Sequence, residues 1–418
     1  MSAGRRRLVA RTVALRQPPD LLAEAGDRGL LWRDEHGGLA GQGVAARLQL
    51  PNGLADPESV QRVSETLEAI PTVDEVGLPG CGPVAIGALP FDPAAAGHLV
   101  IPRRIVGRSG QIAWETIVGE DDREARPSEP ALAPALKPAE PPDQFTLTSS
   151  MAQHEWKEVV AAAIAELTGT EFRKVVLARR IDIDANRPFI ISDVLERLVA
   201  LYPSCMIFSV DGFIGASPEL LVARYGDQIE SHPLAGTVAR SGDVHGDEAL
   251  VAKLMSSPKA RREHQVVVDV LTGALAPVCA ELDVPDRPSI LGLRNVSHLG
   301  THITGRLSTG EGDSRPSALE LVARVHPTPA VGGTPTDTAV RYLQKVEGFD
   351  RRTYAGPVGW MDPRGDGAWA IGIRCAEVEG SSARLYAGNG IVAGSDPAEE
   401  LAETQLKLQA LLAALVRP

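Results

Sequence analysis

Strands that come in pairs, separated by long helices, predict an α+β or layered α/β architecture for this chain. Three observations lead there. Hydrophobic residues make up 44% and charged residues 23% of the 418, enough to bury a large core. Alternating apolar runs such as "FRKVVLARRIDID" and "WAIGIRCAEVEG" are bounded by Gly-rich turns. Helical periodicity, with well-formed starts, marks "EWKEVVAAAIAELTGT", "ISDVLERLVALYP", "SPKARREHQVVVDVLTGALAPV" and "SDPAEELAETQLKLQ".

From the N-terminus, "GPVAIGALPF" and "HLVIPRRIVGR" read as short strands and carry no chemical constellation. The Pro-, Ala- and Glu-rich stretch "REARPSEPALAPALKPAEPPDQF" reads as a linker or surface excursion. It divides the chain into residues 1–121, a connection over 122–145, and 146–418. In the last part "CMIFSVDGFIGASPELLVAR" predicts a hairpin pair, and "YAGPVGWMD", "WAIGIRCAEVEG" and "ARLYAGNGIVAG" predict successive strands. No fixed-period repeat is present.

Composition excludes several classes. A net charge of −12 argues against nucleic-acid binding. The four cysteines, Cys81, Cys205, Cys279 and Cys375, form no CxxC pair, which argues against a zinc site or a disulfide framework and for reduced thiols in the cytoplasm. The start "MSAGRRRLVARTVALRQPPD" lacks the apolar run of a signal peptide, and no stretch reaches the roughly 18 apolar residues of a membrane span.

The chemistry is concentrated on a few side chains. In the last helix Asp396 can cap, Pro397 fits the first turn, and helical spacing puts Glu400, Glu403 and Lys407 on one face, beside a stripe of Leu401, Leu408, Leu411, Leu412 and Leu415. Glu403 and Lys407 also make a simple i, i+4 pair, so a solvated face competes with a ligand site. In the helix after Ser257, Glu263 falls one turn before Val267 on the stripe Val267, Val270, Leu271 and Ala274. A carboxylate there is costly unless it is paired, for instance with Arg261 or Arg262, or metal-bound. Glu263, Glu400 and Glu403 together would make an all-oxygen site that suits Mg²⁺ better than zinc.

Alternation in "FRKVVLARR" puts Lys174 on one face with Val176 and Ala178. A lysine so desolvated is a candidate general base, unless it snorkels from a strand end to water. Glu219, after the Ser-Pro of "GFIGASPELLVAR", is either a general acid raised by burial or a partner of Arg224. Arg374, in the apolar "AIGIRCAEV", calls for a carboxylate partner, and the Gly388 to Gly390 turn offers main-chain N–H groups to another.

The order of "FRKVVLARR", "GASPELLVAR", "SHPLAGTVAR", "SPKARREHQVVVDVL", "HPTPAVGGTP", "YAGPVGW", "IGIRCAEV", "LYAGNGIV" and "EELAETQLKL" resembles the chorismate-utilising enzymes over roughly residues 150–416. The resemblance implies one α+β domain of two packed, mostly antiparallel sheets wrapped by helices, with residues 1–121 forming the N-terminal half of that fold. Within the family the likeness is greatest to isochorismate synthases, isomerases of menaquinone or catecholate siderophore biosynthesis. It implies Lys174 as the water-activating base, Glu219 as the general acid, and Glu263, Glu400 and Glu403 as ligands of the cofactor Mg²⁺. Arg374, Lys407, Tyr354, Gly388 and Gly390 correspond to groups that hold the substrate carboxylates. His298 and Thr237 correspond to the ring pocket, and Ala330 leaves space near the ring. Val331 departs from the leucine of the siderophore-type enzymes, which bears on pyruvate-lyase activity. Chorismate is the implied partner, with no nucleic acid, membrane or glutaminase subunit. The alternatives are a salicylate synthase, an amination enzyme and a catalytically silent chorismate-binding protein. Lys174 and the Ala330 segment argue against amination.

Overall fold

A computed structural model describes residues 7–121, 123–125, 140–240, 243–309 and 315–416. Residues 126–139, the bulk of the expected linker, lie outside the described residues, and Phe145 already opens a strand, Phe145–Ser149.

The described strands form a 13-stranded sheet, a 9-stranded sheet and a 3-stranded sheet. Pairing is antiparallel apart from Val9–Ala14 against Thr72–Asp74. N- and C-terminal residues build both large sheets together. In the first, Phe208 pairs with Trp32; in the second, Trp360 pairs with Ile86. Trp32 and Trp360 then meet edge-on between the sheets, with ring centroids 6.4 Å apart. The core between the sheets takes side chains from residues on both sides of the linker, among them Leu99, Phe208, Val358 and Trp369. The two parts of the chain therefore share one apolar interior.

Two places where the chain changes sheet position the site. The segment predicted as one hairpin is a hairpin, Met206–Val210 with Phe213–Ser217, plus a third strand, Leu220–Tyr225, that belongs to the other large sheet. Pro218 has no N–H for a ladder, and the chain crosses at Pro218–Glu219. A second crossing runs from Gly367–Ile371 to Cys375–Glu379. Arg374 stands in this crossing with φ of 50°, so it does not lie within an apolar strand as expected. The crossings are tied to each other: Ala216 N–H donates to Arg374 O at 3.0 Å and Ile371 N–H donates to Glu219 O at 3.1 Å.

The Gly388 to Gly390 segment is likewise no turn. It lies inside the strand Ser382–Ile391, where Gly388 faces Ala178 and Gly390 faces Val176. The glycines answer a space requirement there. A Cβ at Gly388 would come 2.8 Å from the Tyr354 hydroxyl, and one at Gly390 would collide with the Glu263 carboxylate.

The helices start as the sequence predicts. Ser257 Oγ accepts from Ala260 N–H at 3.2 Å, with Pro258 in the first turn of Pro258–Leu275. Asp396 Oδ1 accepts from the N–H groups of Ala398 and Glu399, opening Pro397–Val416. The buried stripe of the first helix is Ala260, His264, Val267, Val268, Leu271 and Leu275, whereas Val270 is exposed. The stripe turns with 3.6-residue periodicity, and Val270 falls just past its edge. No described helix is long and apolar enough to cross a membrane.

Away from the site, Pro57–Glu68 buries Val60, Val63 and Leu67 at helical spacing against the shared core. Leu67→Ala should cost about 2–5 kcal/mol of stability through the cavity it leaves. Urea unfolding of the variant beside the parent protein measures that loss.

Candidate active site

A cavity of about 350 Å³ opens between the long strand Lys174–Ala185, the sheet crossings and the helices Pro258–Leu275 and Pro397–Val416. Every candidate residue from the sequence lines it: Lys174, Glu219, Thr237, Glu263, His298, Ala330, Tyr354, Arg374, Gly388, Gly390, Glu400, Glu403 and Lys407.

Lys174 is 2% exposed, so it does not snorkel to water. Its surroundings are not wholly apolar, because Nζ lies 3.1 Å from Glu263 Oε1. Glu263 thus pairs with the strand lysine, while Arg261 and Arg262 are not its partners. Glu219 is also buried, and Arg224 is not its partner. That arginine turns to Asp366 at 4.0 Å and to the carbonyl groups of Gly226 and Pro316. Burial pushes the Glu219 carboxyl up to about 7, against the Leu234 N–H hydrogen bond and the positive charges of Lys174, Arg374 and Lys407. A carboxyl so placed is half protonated near neutral pH and can give up a proton.

The carboxylate shelf is matched by lysines. Glu403 Oε1 lies 2.6 Å from Lys407 Nζ, and Glu400 Oε1 lies 3.6 Å from Lys259 Nζ. Asn389 also donates to Glu400. Burial, and then the nearby negative charges of Glu403 and Glu263, push the Glu400 carboxyl up to about 7. Among the described residues no three His, Cys, Asp or Glu side chains converge on one point as they stand. What the shelf does offer is three oxygen-only donors, of which Glu400 feels the negative charge of the other two. That set fits a hard divalent cation.

Opposite the shelf, Arg374 Nη2 donates to His298 Nε2 at 3.3 Å, and His298 Nδ1 lies 3.1 Å from Thr237 Oγ1. Burial, reinforced by Arg374 and Lys407, holds His298 well below the usual imidazole range, so the ring is neutral. An arginine can only donate, so Nε2 is the acceptor and Nδ1 carries the proton. The Nδ1–H is then shared between Thr237 Oγ1 and the Gly236 carbonyl, the latter at 3.3 Å, and the histidine does not take up the Thr237 O–H. Tyr354 is buried and stacked on Tyr386, with ring centroids 4.9 Å apart. Lys407 Nζ donates to Gly388 O at 2.9 Å, fixing the helix lysine to the glycine strand.

Sequence reasoning missed Lys259, Asn389 and Tyr386, which also line the cavity. The signal for Lys259 was present: it precedes Glu263 by four residues, on the same helical face. Asn389 alternates with the two glycines along the strand and so points toward the last helix, a direction that becomes legible only once Gly388–Gly390 is placed in a strand.

Comparisons with known proteins give the chain its family. The family described as "Chorismate binding enzyme" matches residues 20–416. The isochorismate synthase DhbC of Bacillus subtilis (strain 168) is 38% identical over 344 residues, spanning 80% of this chain and 81% of the relative. The isochorismate synthase EntC of Escherichia coli (strain K12) is 34% identical over 338 residues, spanning 79% and 80%. Among solved structures, the menaquinone-specific isochorismate synthase MenF from Escherichia coli superposes with a TM-score of 0.80 at 25% identity, covering 98% of this chain and 95% of that one. With the match running over nearly its whole length, this chain belongs to the chorismate-binding enzyme family.

Proposed function

We propose that the protein is an isochorismate synthase, an isomerase that adds water to chorismate at ring carbon 2 and expels hydroxide from carbon 4. One observation carries this reading: Lys174 and Glu219, a base and a proton donor, are both buried and line the same cavity. Arg374 and Lys407 supply positive charge for a substrate with two carboxylates. The relatives named for this reaction, DhbC and EntC, span about four fifths of the chain.

In this mechanism Lys174 acts from its neutral amine form, the fraction not protonated beside Glu263, and Nζ takes a proton from the water as it attacks, because water is a weak nucleophile for a ring carbon. Glu219 gives its proton to the departing hydroxyl. Thr237, with its O–H released by the His298 tautomer, donates to a substrate oxygen, and the gap beside Ala330 accommodates the ring. Arg374, Lys407 and Tyr354 orient the carboxylates, and the missing side chains at Gly388 and Gly390 let the ring side of the cavity close.

Glu263, Glu400 and Glu403 would hold Mg²⁺, which when bound neutralises and orients a substrate carboxylate. Glu263 is shared between that shelf and Lys174, so the base and the cation site are coupled through one side chain. Water is the nucleophile, so no glutaminase subunit is needed. The free thiols Cys81, Cys205, Cys279 and Cys375 fit a cytoplasmic setting. The product serves menaquinone or catecholate siderophore synthesis, the two roles for which such enzymes are named.

The first test is incubation of purified protein with chorismate and Mg²⁺. Isochorismate is the expected product; salicylate with pyruvate would instead favour the second reading, to which the smaller Val331 points. Excess EDTA should abolish turnover, and Glu403→Ala should do the same while the leucine stripe keeps the helix folded. Undiminished activity in EDTA would remove Mg²⁺ from the mechanism.

A pH profile tests the acid. Glu219 is protonated below about 7 and loses the donor form as pH rises, so kcat/KM should fall on the alkaline side, by about tenfold per unit. Glu219→Gln should lower the rate about 10²–10⁴-fold and take that limb of the profile away.

The base is tested by pairing Lys174→Ala with Lys174→Arg. Arginine stays protonated, so both variants should lose hydration while chorismate binding survives through Arg374 and Lys407. A near-normal rate in Lys174→Arg would mean that the role is charge and not basicity.

A further inference from the structure

The strand Lys174–Ala185 lacks a strand neighbour along part of one side. Gly333–Thr334 pairs with Lys174 and Val175, and Phe145–Ser149 pairs with Ile181 to Ala185. Between these two short partners, side chains satisfy the ladder. Ala178 N–H donates to Glu347 Oε1 at 2.8 Å, and Val176 O accepts from Arg351 Nη2 at 2.5 Å. Arg351 Nη1 donates to Val331 O at 2.8 Å, and its Nε donates to Glu347 Oε2 at 2.8 Å. The two side chains are 3% and 4% exposed, and the guanidinium lies 4.4 Å from the centre of the Phe91 ring.

An apolar pair of similar volume would fill this space without burying two charges, and such replacements are often neutral or stabilising. Here it would leave Val176 O, Val331 O and Ala178 N–H without partners. The ion pair therefore acts as a piece of missing strand. Neither Glu347 nor Arg351 lines the cavity, but Val176 and Val331 both do. Lys174 is two residues before Val176, on the same strand face, and Ala330 is next to Val331.

We propose that the Glu347–Arg351 pair is a positioning element of the enzyme: it holds the Lys174 strand and the Ala330–Val331 wall at the spacing the ring chemistry needs. The proposal rests on the isochorismate synthase reading for its catalytic consequence, though not for the clamp itself. Its guanidinium bridges two carbonyl groups and a carboxylate at once, and a lysine ammonium, a single point donor, cannot span all three.

Arg351→Met would strand a buried carboxylate and threaten folding, so Arg351→Lys and Glu347→Gln are the informative variants. Each is compared with Leu67→Ala, a destabilised variant far from the cavity, at a temperature where all remain folded by circular dichroism. Hydrogen exchange read by mass spectrometry should rise about tenfold or more in peptides covering residues 174–178 and 330–333, and stay at the parent level in Leu67→Ala. For chorismate turnover with Mg²⁺, kcat should fall about 10–100-fold with KM changed little, since the reacting groups are displaced without losing a substrate contact. Unchanged exchange in those peptides would overturn the clamp. Raised exchange with a normal kcat, or an equal kcat loss in Leu67→Ala, would overturn the positioning role. If the parent protein makes no isochorismate, the functional reading falls by itself, and the exchange result alone decides the clamp.

Discussion

The contact between Lys174 and Glu263 is the constraint around which the rest is arranged. It joins the long strand to the helix Pro258–Leu275 at the cavity wall, with Nζ and Oε1 3.1 Å apart. Taking either charge out of water alone costs several kcal/mol, so each is stable in this place only with the other or with a replacement. The same logic extends along the shelf, where Lys407 answers Glu403 and Lys259 answers Glu400. A cavity built this way holds charge in reserve: in the proposed reaction an anionic substrate and a cation would each displace a partner already present.

The two sheet crossings give that reserve its geometry. Glu219 and Arg374 lie where the chain leaves one large sheet for the other, and the crossings share two main-chain hydrogen bonds. A residue inside a regular strand would point into one sheet face or the other. A residue at a crossing can point into the space between elements, and the φ of 50° at Arg374 is the local cost of doing so. Glu219 and Arg374, the proposed acid and carboxylate anchor, are therefore held by main chain that belongs to both sheets, and neither can shift without disturbing that double attachment. The Glu347–Arg351 pair has the complementary part, securing the strand that carries the lysine where no neighbouring strand does so.

Much of this was legible in the residues. Helix starts at Ser257 and Asp396 follow from capping chemistry, which is local and survives whatever the fold does. The carboxylates at Glu263, Glu400 and Glu403 stood out because helical spacing brought them to the edge of an apolar stripe. Three features were misread for one reason. Arg374, the Gly388–Gly390 segment and the third strand after Pro218 each depend on which sheet the chain joins next, and a period-2 pattern carries no information about that. Glycines in sequence look like a turn; here they are a strand made thin so that Glu263 and Tyr354 can approach.

The sequence by itself determined the inventory: which segments are helix or strand, where the helices begin, and which side chains are too polar for the places they occupy. It could do so because capping, periodicity and burial cost act over a few residues. Tertiary structure alone decided the partnerships. Lys174 finds Glu263, Arg374 finds His298, and Arg351 completes a strand far from it in the chain. These are contacts between elements whose spacing is set by sheet order and crossing points, and the energy that selects them is that of the assembled interior rather than of any one segment.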